Sequence, residues 1–122
     1  MKKVLPLQIS RERFYKTVLT VFKPVPPLDK LRNKELSVLS ELIRLADQYK
    51  DLGEKKRWRL VFSKESRVEM RAALDDISEA SFNNSLSELR RQRIIVDNTV
   101  IEALCFSPET INAVEYQIII NG

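Results

Sequence analysis

The sequence of 122 residues contains no histidine and a single cysteine, Cys105. These absences exclude a disulfide framework, and they leave no plausible zinc site and no Cys–His or Ser–His catalytic pair. The chain also lacks a glycine-rich phosphate loop, and turn chemistry explains the adjacent Asp75 and Asp76 better than paired-carboxylate catalysis does. We therefore expect no enzymatic activity, no metal and no cofactor. The apolar run VIEALCFS predicts that Cys105 is a small buried hydrophobic side chain.

Long apolar segments are also missing from the sequence. No run approaches the ~20 residues that a membrane-spanning helix needs. The opening MKKVLPLQIS is basic, but it holds too few apolar residues for a secretory signal, which requires ~7–15 without interruption. The scarcity of cysteine is typical of a reducing compartment. We therefore predict a cytoplasmic protein with no membrane partner.

Charge is distributed unevenly along the chain, although the net charge is only +4. Residues 1–34 hold nine basic and two acidic side chains, whereas residues 35–122 hold 12 basic and 15 acidic ones. The basic end indicates an anionic partner. A solvated surface with no specific partner is the alternative.

The N-terminal part of the chain is predicted to form a short strand and a helix. VLPLQI at 4–9 fits an edge strand, and Ser10 fits the N-cap of a helix over about 11–22. The shared apolar face of this helix is predicted to consist of Phe14, Val18, Val21 and Phe22. Three prolines in KPVPPL predict a stiff extended connector. This connector divides the chain into a basic N-terminal extension, residues 1–28, and a main domain, residues 29–122.

The main domain is predicted to begin with a long helix over about 33–50, for which Asn33 is a candidate N-cap. The apolar positions of this helix form a broad stripe along one side. The segment RWRLVF at 57–62 fits either a short helix or a strand, since so few residues define no period.

Two further helices follow, and a tight turn with the sequence DDIS separates them. The first begins at Ser63 or Ser66 and runs to about Leu74, and the second is capped by Ser78 and ends near Gln92. The pattern predicts a compact core formed by Val68, Leu74, Ile77, Phe82, Leu86, Leu89 and Ile94. After these helices, IIVDNTVIEALCFS and AVEYQIII are rich in β-branched residues and predict two or three strands closing on a hairpin.

The helix over about 79–92 has an unusual polar face. That face carries Glu79, Ala80, Ser81, Asn83, Asn84 and Ser87. Asn and Ser are poor interior helix formers because their side chains compete with the backbone for hydrogen bonds. A helix that only completes a domain usually presents Glu, Lys and Arg there. We therefore expect this face to have a function beyond helix stability.

This order of elements resembles the winged helix-turn-helix family of DNA-binding proteins. The residues that carry the resemblance are Ile77-Ser78 and Ser81-Phe82 at the turn, Leu86 and Leu89 in the next helix, and Ile94-Ile95 before the wing. LRNKELSVLSELI is similar to the first helix of such domains. The resemblance covers residues 33–122 and implies an α+β fold with a three-helix core and a C-terminal β-hairpin wing, here with an N-terminal strand and helix extension. In place of the family's glycine this chain has Arg93, which must adopt a positive φ or end the helix differently.

The resemblance also implies binding to double-stranded DNA, with the helix over 79–92 in the major groove. Asn can pair with adenine and Ser with a base or a phosphate, and the helix N-terminus favours phosphate. The implied contacts are Ser81, Asn83, Asn84 and Ser87, with Asn84 the main base reader, then Arg90, Arg91 and Arg93 on the DNA backbone, and Lys64 and Arg67 on phosphate. The small size is similar to that of phage-encoded members, which implies transcription or replication regulation in a bacterial or phage-infected cell.

Two observations favour a different class of function. Residues 63–95 hold six basic and six acidic side chains, and Glu79 at the helix start would repel phosphate or read a cytosine. The C-terminal VEYQIII is apolar enough for an interface or a dimer edge. A non-catalytic scaffold that binds another protein or a second copy of the chain is therefore the alternative. Trp58 in KKRWR fits a core position better than a base-stacking one.

Overall fold

The computed structural model describes residues 11–108, and within them the fold is α+β. Five α-helices and one two-stranded antiparallel sheet occur in this part of the chain. The helices are α1 (Arg11–Val21), α2 (Asn33–Gln48), α3 (Glu54–Val61), α4 (Lys64–Ala73) and α5 (Glu79–Arg91), and the strands are β1 (Ile95–Val96) and β2 (Thr99–Val100). None of the described helices is both long enough and apolar enough to cross a membrane. The strand predicted at 4–9, the Ser10 cap and the AVEYQIII strand lie outside the described residues.

α2 forms the centre of the hydrophobic core, and α1, α3, α4 and α5 all pack against it. Its buried apolar side chains are Leu36, Val38, Leu39, Leu42, Ile43, Leu45 and Ala46. The predicted cap was wrong by one residue, because Arg32 is the N-cap and Asn33 is the first helical residue. The Arg32 backbone N–H donates to Glu35 Oε1 at 2.6 Å. This carboxylate satisfies an N–H at the start of the helix, so no Asn side chain is needed there.

The face through which α1 packs against α2 matches the prediction only in part, since Phe14 packs against the core but Val21 and Phe22 do not. Tyr15 and Leu19 are buried, whereas Val21 and Phe22 are 67% and 48% exposed. The Tyr15 hydroxyl donates to Asp47 Oδ2 of α2 at 2.6 Å. Tyrosine can bury its ring when its hydroxyl finds a partner, and this partner lies on another helix. The assignment of Val21 and Phe22 to the buried face was therefore wrong.

The segment between α1 and α2 turns back on itself, so the predicted extended connector was also wrong. The Val25 N–H donates to the Phe22 carbonyl at 2.9 Å, and the Leu28 N–H donates to the Val25 carbonyl at 3.0 Å. Leu28 and Leu31, which follow these turns, are buried. As a result, α1 and α2 contribute side chains to one hydrophobic core.

The segment RWRLVF is helical and belongs mostly to α3. Trp58 and Val61 bury the inner face of this helix. Trp58 is only 5% exposed, as expected for a core tryptophan. Its ring packs against Phe62, with 6.2 Å between the ring centroids.

α4 begins after Ser63, whose hydroxyl accepts a hydrogen bond from the Ser66 N–H at 3.2 Å. Of the two predicted caps, Ser63 is therefore the correct one. The predicted burial of Val68 was wrong: Val68 is 57% exposed, and Ser66 and Met70 are buried instead. The Ser66 hydroxyl donates to the Leu60 carbonyl at 2.6 Å, so a polar residue fills this core position without an unsatisfied group.

The other predicted core positions behave as expected. Phe82, Leu86, Leu89 and Ile94 are buried, and Leu74 and Ile77 pack against the same core in a half-buried state. A salt-bridge network also joins α2 to α4, since Arg44 contacts Glu41 at 2.7 Å and Glu69 at 3.4 Å. The apolar side chains and these charged side chains fix the position of α4 against α2.

A hairpin is present at 95–100, inside the first of the two segments that were predicted to form strands. β1 pairs with β2 so that Ile95 lies opposite Val100 and Val96 opposite Thr99. Asp97 and Asn98 join the strands with φ values of 53° and 57°, a conformation that Asp and Asn tolerate and that two-residue hairpins favour.

The chain after the hairpin differs from the prediction. Glu102–Leu104 form a short 3-10 helix, and Cys105 is exposed, so its assignment to the core was wrong. The 3-10 turn rotates the thiol toward backbone oxygens, with Sγ 3.6 Å from the Ile101 carbonyl oxygen. Although the residue as a whole is exposed, neighbouring atoms desolvate its thiol and raise the pKa of Cys105 to about 11, which disfavours the reactive thiolate.

Candidate nucleic-acid interface

The turn over residues 74–78 sets the direction of α5 relative to α4. Asp75 and Asp76 in this turn have φ values of 61° and 56°, which Asp tolerates better than most residues do. The Arg71 Nε–H donates to the Ile77 carbonyl at 2.9 Å. The Ser78 hydroxyl then caps α5 by accepting from the Ser81 N–H at 3.0 Å. These contacts stabilise the turn and fix the angle at which α5 begins.

α5 buries one side and presents the other to solvent. The buried side consists of Phe82, Ser85, Leu86 and Leu89. The side chains of Asn83, Asn84 and Ser87 are exposed, and none of them makes a hydrogen bond to any residue between 11 and 108. Their amide and hydroxyl groups are therefore available to an external partner.

The exposed side of α5 has a central ridge defined by helix geometry. Ala80, Asn84, Ser87 and Arg91 are spaced i, i+4, i+7 and i+11, so their side chains lie in one row. All four are exposed. We call this row the α5 ridge. Asn83 and Arg90 lie beside this row, on the same flank of the helix.

The remaining predicted site residues differ in their accessibility. Arg90, Arg93 and Lys64 are exposed, whereas Ser81 and Arg67 are half-buried. Within the described chain, the Arg67 Nε is buried and has no hydrogen-bond partner. The structure therefore brings the amides of α5 and the arginines at its end together on one surface. Ser81 and Arg67 are less accessible to a partner.

Arg93 connects α5 to the hairpin with a positive φ, which is the first of the two alternatives predicted for it. Its φ is 64°. Its N–H donates to the Arg90 carbonyl at 3.0 Å, and the Ile94 N–H donates to the Leu89 carbonyl at 2.9 Å. This pair of bonds is the Schellman motif, in which a left-handed residue ends the helix and an apolar contact accompanies it. Leu89 and Ile94 are both fully buried, so the hairpin begins directly from the core.

A hydrogen-bonded network at the end of α5 was not predicted from the sequence. Glu88 Oε1 accepts from Arg91 Nε at 3.1 Å and from Arg91 Nη2 at 2.7 Å. The other carboxylate oxygen accepts from Gln92 Nε2 at 2.8 Å. The hydrogen bonds from Gln92 and Arg91 lower the pKa of Glu88 below its usual value. The spacing of Glu88, Arg91 and Gln92 at i, i+3 and i+4 is the signal that could have revealed the network.

The charges around α5 are separated along its length. Exposed Asp75, Asp76 and Glu79 surround its first turn, whereas Arg90 and Arg91 lie in its last turn and Arg93 follows it. The positive charge of Arg32, the N-cap residue of α2, also contributes to lowering the pKa of Glu88. An anionic partner is therefore attracted to the C-terminal half of α5 and repelled from its start.

A groove of about 580 Å³ lies between α3 and the hairpin turn. Its lining consists of Glu54, Lys55, Trp58, Arg59, Phe62, Asp97, Asn98 and Thr99. Two acidic and two basic side chains in this lining leave it without net charge. The groove is therefore a weaker candidate for an anionic ligand than the end of α5.

Comparisons of the chain with models of known protein families, with curated proteins and with solved structures find no match. The geometry of the described residues therefore carries the functional argument. In the part of the chain from 11 to 108, no three acidic, cysteine or histidine side chains are grouped to hold a metal ion.

Proposed function

We propose that this protein binds double-stranded DNA as a winged helix-turn-helix protein and acts in transcription or replication regulation in a phage or bacterium. In this proposal α2, α4 and α5 form the three-helix core, α5 lies in the major groove, and β1 and β2 form the wing. The observation that carries the proposal is the exposed row of amide and hydroxyl groups on α5, which have no partner within the described chain.

The chemistry of this face fits a base edge. The Asn carbonyl oxygen accepts a hydrogen bond from adenine N6–H₂, and the Asn amide N–H donates to adenine N7, so Asn pairs with adenine through two hydrogen bonds. Ser87 can donate to or accept from either a base or a phosphate. The major groove is about 12 Å wide and admits an α-helix. Short neutral side chains such as Asn84 let the helix approach closely without the cost of desolvating a charge.

The arginines supply the attraction to phosphate that the neutral face lacks. Arg90 and Arg93 are exposed at the end of α5, and the charge of Arg32, the N-cap residue of α2, also acts on Glu88 there. The acidic first turn of α5 would meet phosphate unfavourably, so the C-terminal half of the helix makes the closer approach to the DNA backbone in this proposal. The basic residues of segment 1–34 add further positive charge.

The first experiment measures binding to duplex DNA over a series of salt concentrations. A plot of log K against log salt should have a slope of about −4.5 if some five phosphates are neutralised. A flat dependence would contradict the DNA proposal and favour the protein-binding alternative.

A substitution on the α5 ridge tests sequence recognition. A preferred site is first selected from random duplexes with the wild-type protein. Asn84→Ala should then weaken binding to that site by ~1–3 kcal/mol and leave random DNA nearly unaffected. Gln48→Ala, an exposed amide on α2, is the matched control and should change neither. Equal losses on both duplexes would show that Asn84 contacts the DNA backbone.

The second candidate function is a protein-binding scaffold, and a separate apolar patch favours it. Val21, Phe22 and Val25 are 67%, 48% and 53% exposed and lie close together in sequence. Exposed apolar clusters of this kind often mark protein interfaces. Self-association that depends on protein concentration and is lost in Phe22→Ser, together with no binding to duplex DNA, would support this candidate over the first.

A further inference from the structure

We infer that Arg91 reads a guanine, and that Glu88 is the positioning residue that holds the Arg91 guanidinium for this contact. The inference rests on the proposed function, because it names a base contact within the same interface. It also changes the role expected from the sequence, which placed Arg91 on the DNA backbone.

The hydrogen bonds of Arg91 leave the end of its guanidinium, formed by Nη1 and Nη2, free for a partner. Glu88 Oε1 accepts from Nε at 3.1 Å and from Nη2 at 2.7 Å, which occupies one side of the planar group. A guanidinium has five N–H donors, so the two N–H groups at its far end, one each on Nη1 and Nη2, remain for another partner. Guanine presents two acceptors, O6 and N7, at the spacing that such a pair of donors matches.

Glu88 is itself held in place, which distinguishes this pair from an ordinary surface ion pair. Gln92 Nε2 donates to the second Glu88 oxygen at 2.8 Å, and the Glu88 side chain is only 22% exposed. By contrast, Arg91 is 76% exposed, so the far end of its guanidinium reaches solvent. A side chain already fixed in its binding geometry loses less conformational entropy on contact.

The charge of Glu88 favours a base over a phosphate as the partner of Arg91. A carboxylate 2.7 Å from the guanidinium offsets its attraction for an anion, and it would also repel a nearby phosphate. The directional N–H donors are retained, and a neutral base edge needs only those. Arg90 has no carboxylate partner among the described residues, so it is the better phosphate contact.

The place of Arg91 on the α5 ridge gives the position of the guanine. Arg91 is seven residues beyond Asn84, which corresponds to ~10 Å along a helix that rises 1.5 Å per residue. Successive bases on a strand are about 3.4 Å apart. The guanine should therefore lie about three base pairs from the base that Asn84 contacts.

The experiment compares three variants on three duplexes over a salt series. The duplexes are the selected site, the same site with the guanine replaced by adenine, and a random sequence. Arg91→Ala should reduce the ratio of affinities for the guanine and adenine versions of the site by about 10- to 100-fold. The salt slope should change little. Arg90→Ala, the neighbouring control, should weaken all three duplexes alike and reduce the slope by about 1.

Glu88→Gln separates positioning from direct contact. Because this variant removes a negative charge, its binding to random DNA should be equal or stronger. Its preference for guanine at the base pair that Arg91 contacts should fall. If Glu88→Gln does not fold, Gln92→Ala removes the second anchor of the carboxylate and should lower the same preference. Equal strengthening on every duplex, or an Arg91→Ala loss that is equal on every duplex, would overturn the inference while DNA binding stands. If the wild-type protein binds no duplex or selects no sequence, the proposed function fails and the inference fails with it.

Discussion

Replacing Arg93 with glycine should stabilise the protein, because Arg93 has a φ of 64°. A non-glycine residue in this left-handed region costs about 1–2 kcal/mol. Glycine removes that cost, but it loses about 0.5–1 kcal/mol more backbone entropy on folding. The difference predicts a gain of ~0.5–1 kcal/mol for Arg93→Gly. The Schellman bonds at this position involve only backbone groups, so glycine can retain them.

Arg93→Ala is the matched control, since it removes the same charge but keeps a Cβ. Chemical denaturation of both variants measures the free energy of unfolding, and Arg93→Gly should exceed Arg93→Ala by about 1 kcal/mol. Thermal unfolding should show a difference of a few degrees in the same direction. Equal stabilities would mean that the left-handed conformation of residue 93 costs no more than the backbone entropy that glycine loses on folding, and the account of this helix end would be incorrect. Both variants should reduce the salt slope of DNA binding equally, because the lost charge is the same.

Two further predictions concern the core and the thiol. Phe82 is fully buried, so Phe82→Ala should lower the free energy of unfolding by about 3–5 kcal/mol. Asn83 is exposed, so Asn83→Ala should change that free energy by under about 0.5 kcal/mol. Similar losses for the two variants in denaturation curves would contradict the assignment of Phe82 to the buried side of α5 and of Asn83 to the exposed side. The pKa of Cys105 is raised to about 11, so folding favours the thiol, and this contribution to stability is lost as the pH rises through that value. Alkylation of Cys105 at pH 8 should be roughly tenfold slower in the folded than in the unfolded protein, and equal rates measured by mass spectrometry would exclude the desolvated environment.

Several features of the fold follow from short-range patterns and were predicted correctly. Ser78 caps α5 because its hydroxyl reaches an N–H three residues later, and this bond requires no distant partner. The i, i+4, i+7 spacing of Phe82, Leu86 and Leu89 defines the buried side of that helix. Strand formation by the β-branched residues of the segment IIVDNTVIEALCFS was also predicted, but the turn at Asp97 and Asn98, whose φ values are positive, was not located.

The errors fall where a residue's environment comes from a distant part of the chain. Tyr15 is buried because Asp47 on α2 accepts its hydrogen bond, and neither the spacing nor the composition of α1 contains that information. Val68 is apolar enough for the core, but α2 meets the side of α4 that carries Ser66 and Met70 instead. Cys105 was misplaced because the chain after the hairpin turns as a 3-10 helix.

The candidate site shows the same division. Amino-acid order alone was enough to put Asn83, Asn84 and Ser87 on one side of a helix and Phe82 and Leu89 on the other, because helical periodicity is a local property. Packing against α2 and β1 then settled which surface of α5 faces solvent, and it left the α5 ridge uncovered within the described residues. The tertiary structure also lets the charge of Arg32 act on Glu88. Burial and long-range charge depend on neighbours that only the folded chain brings together.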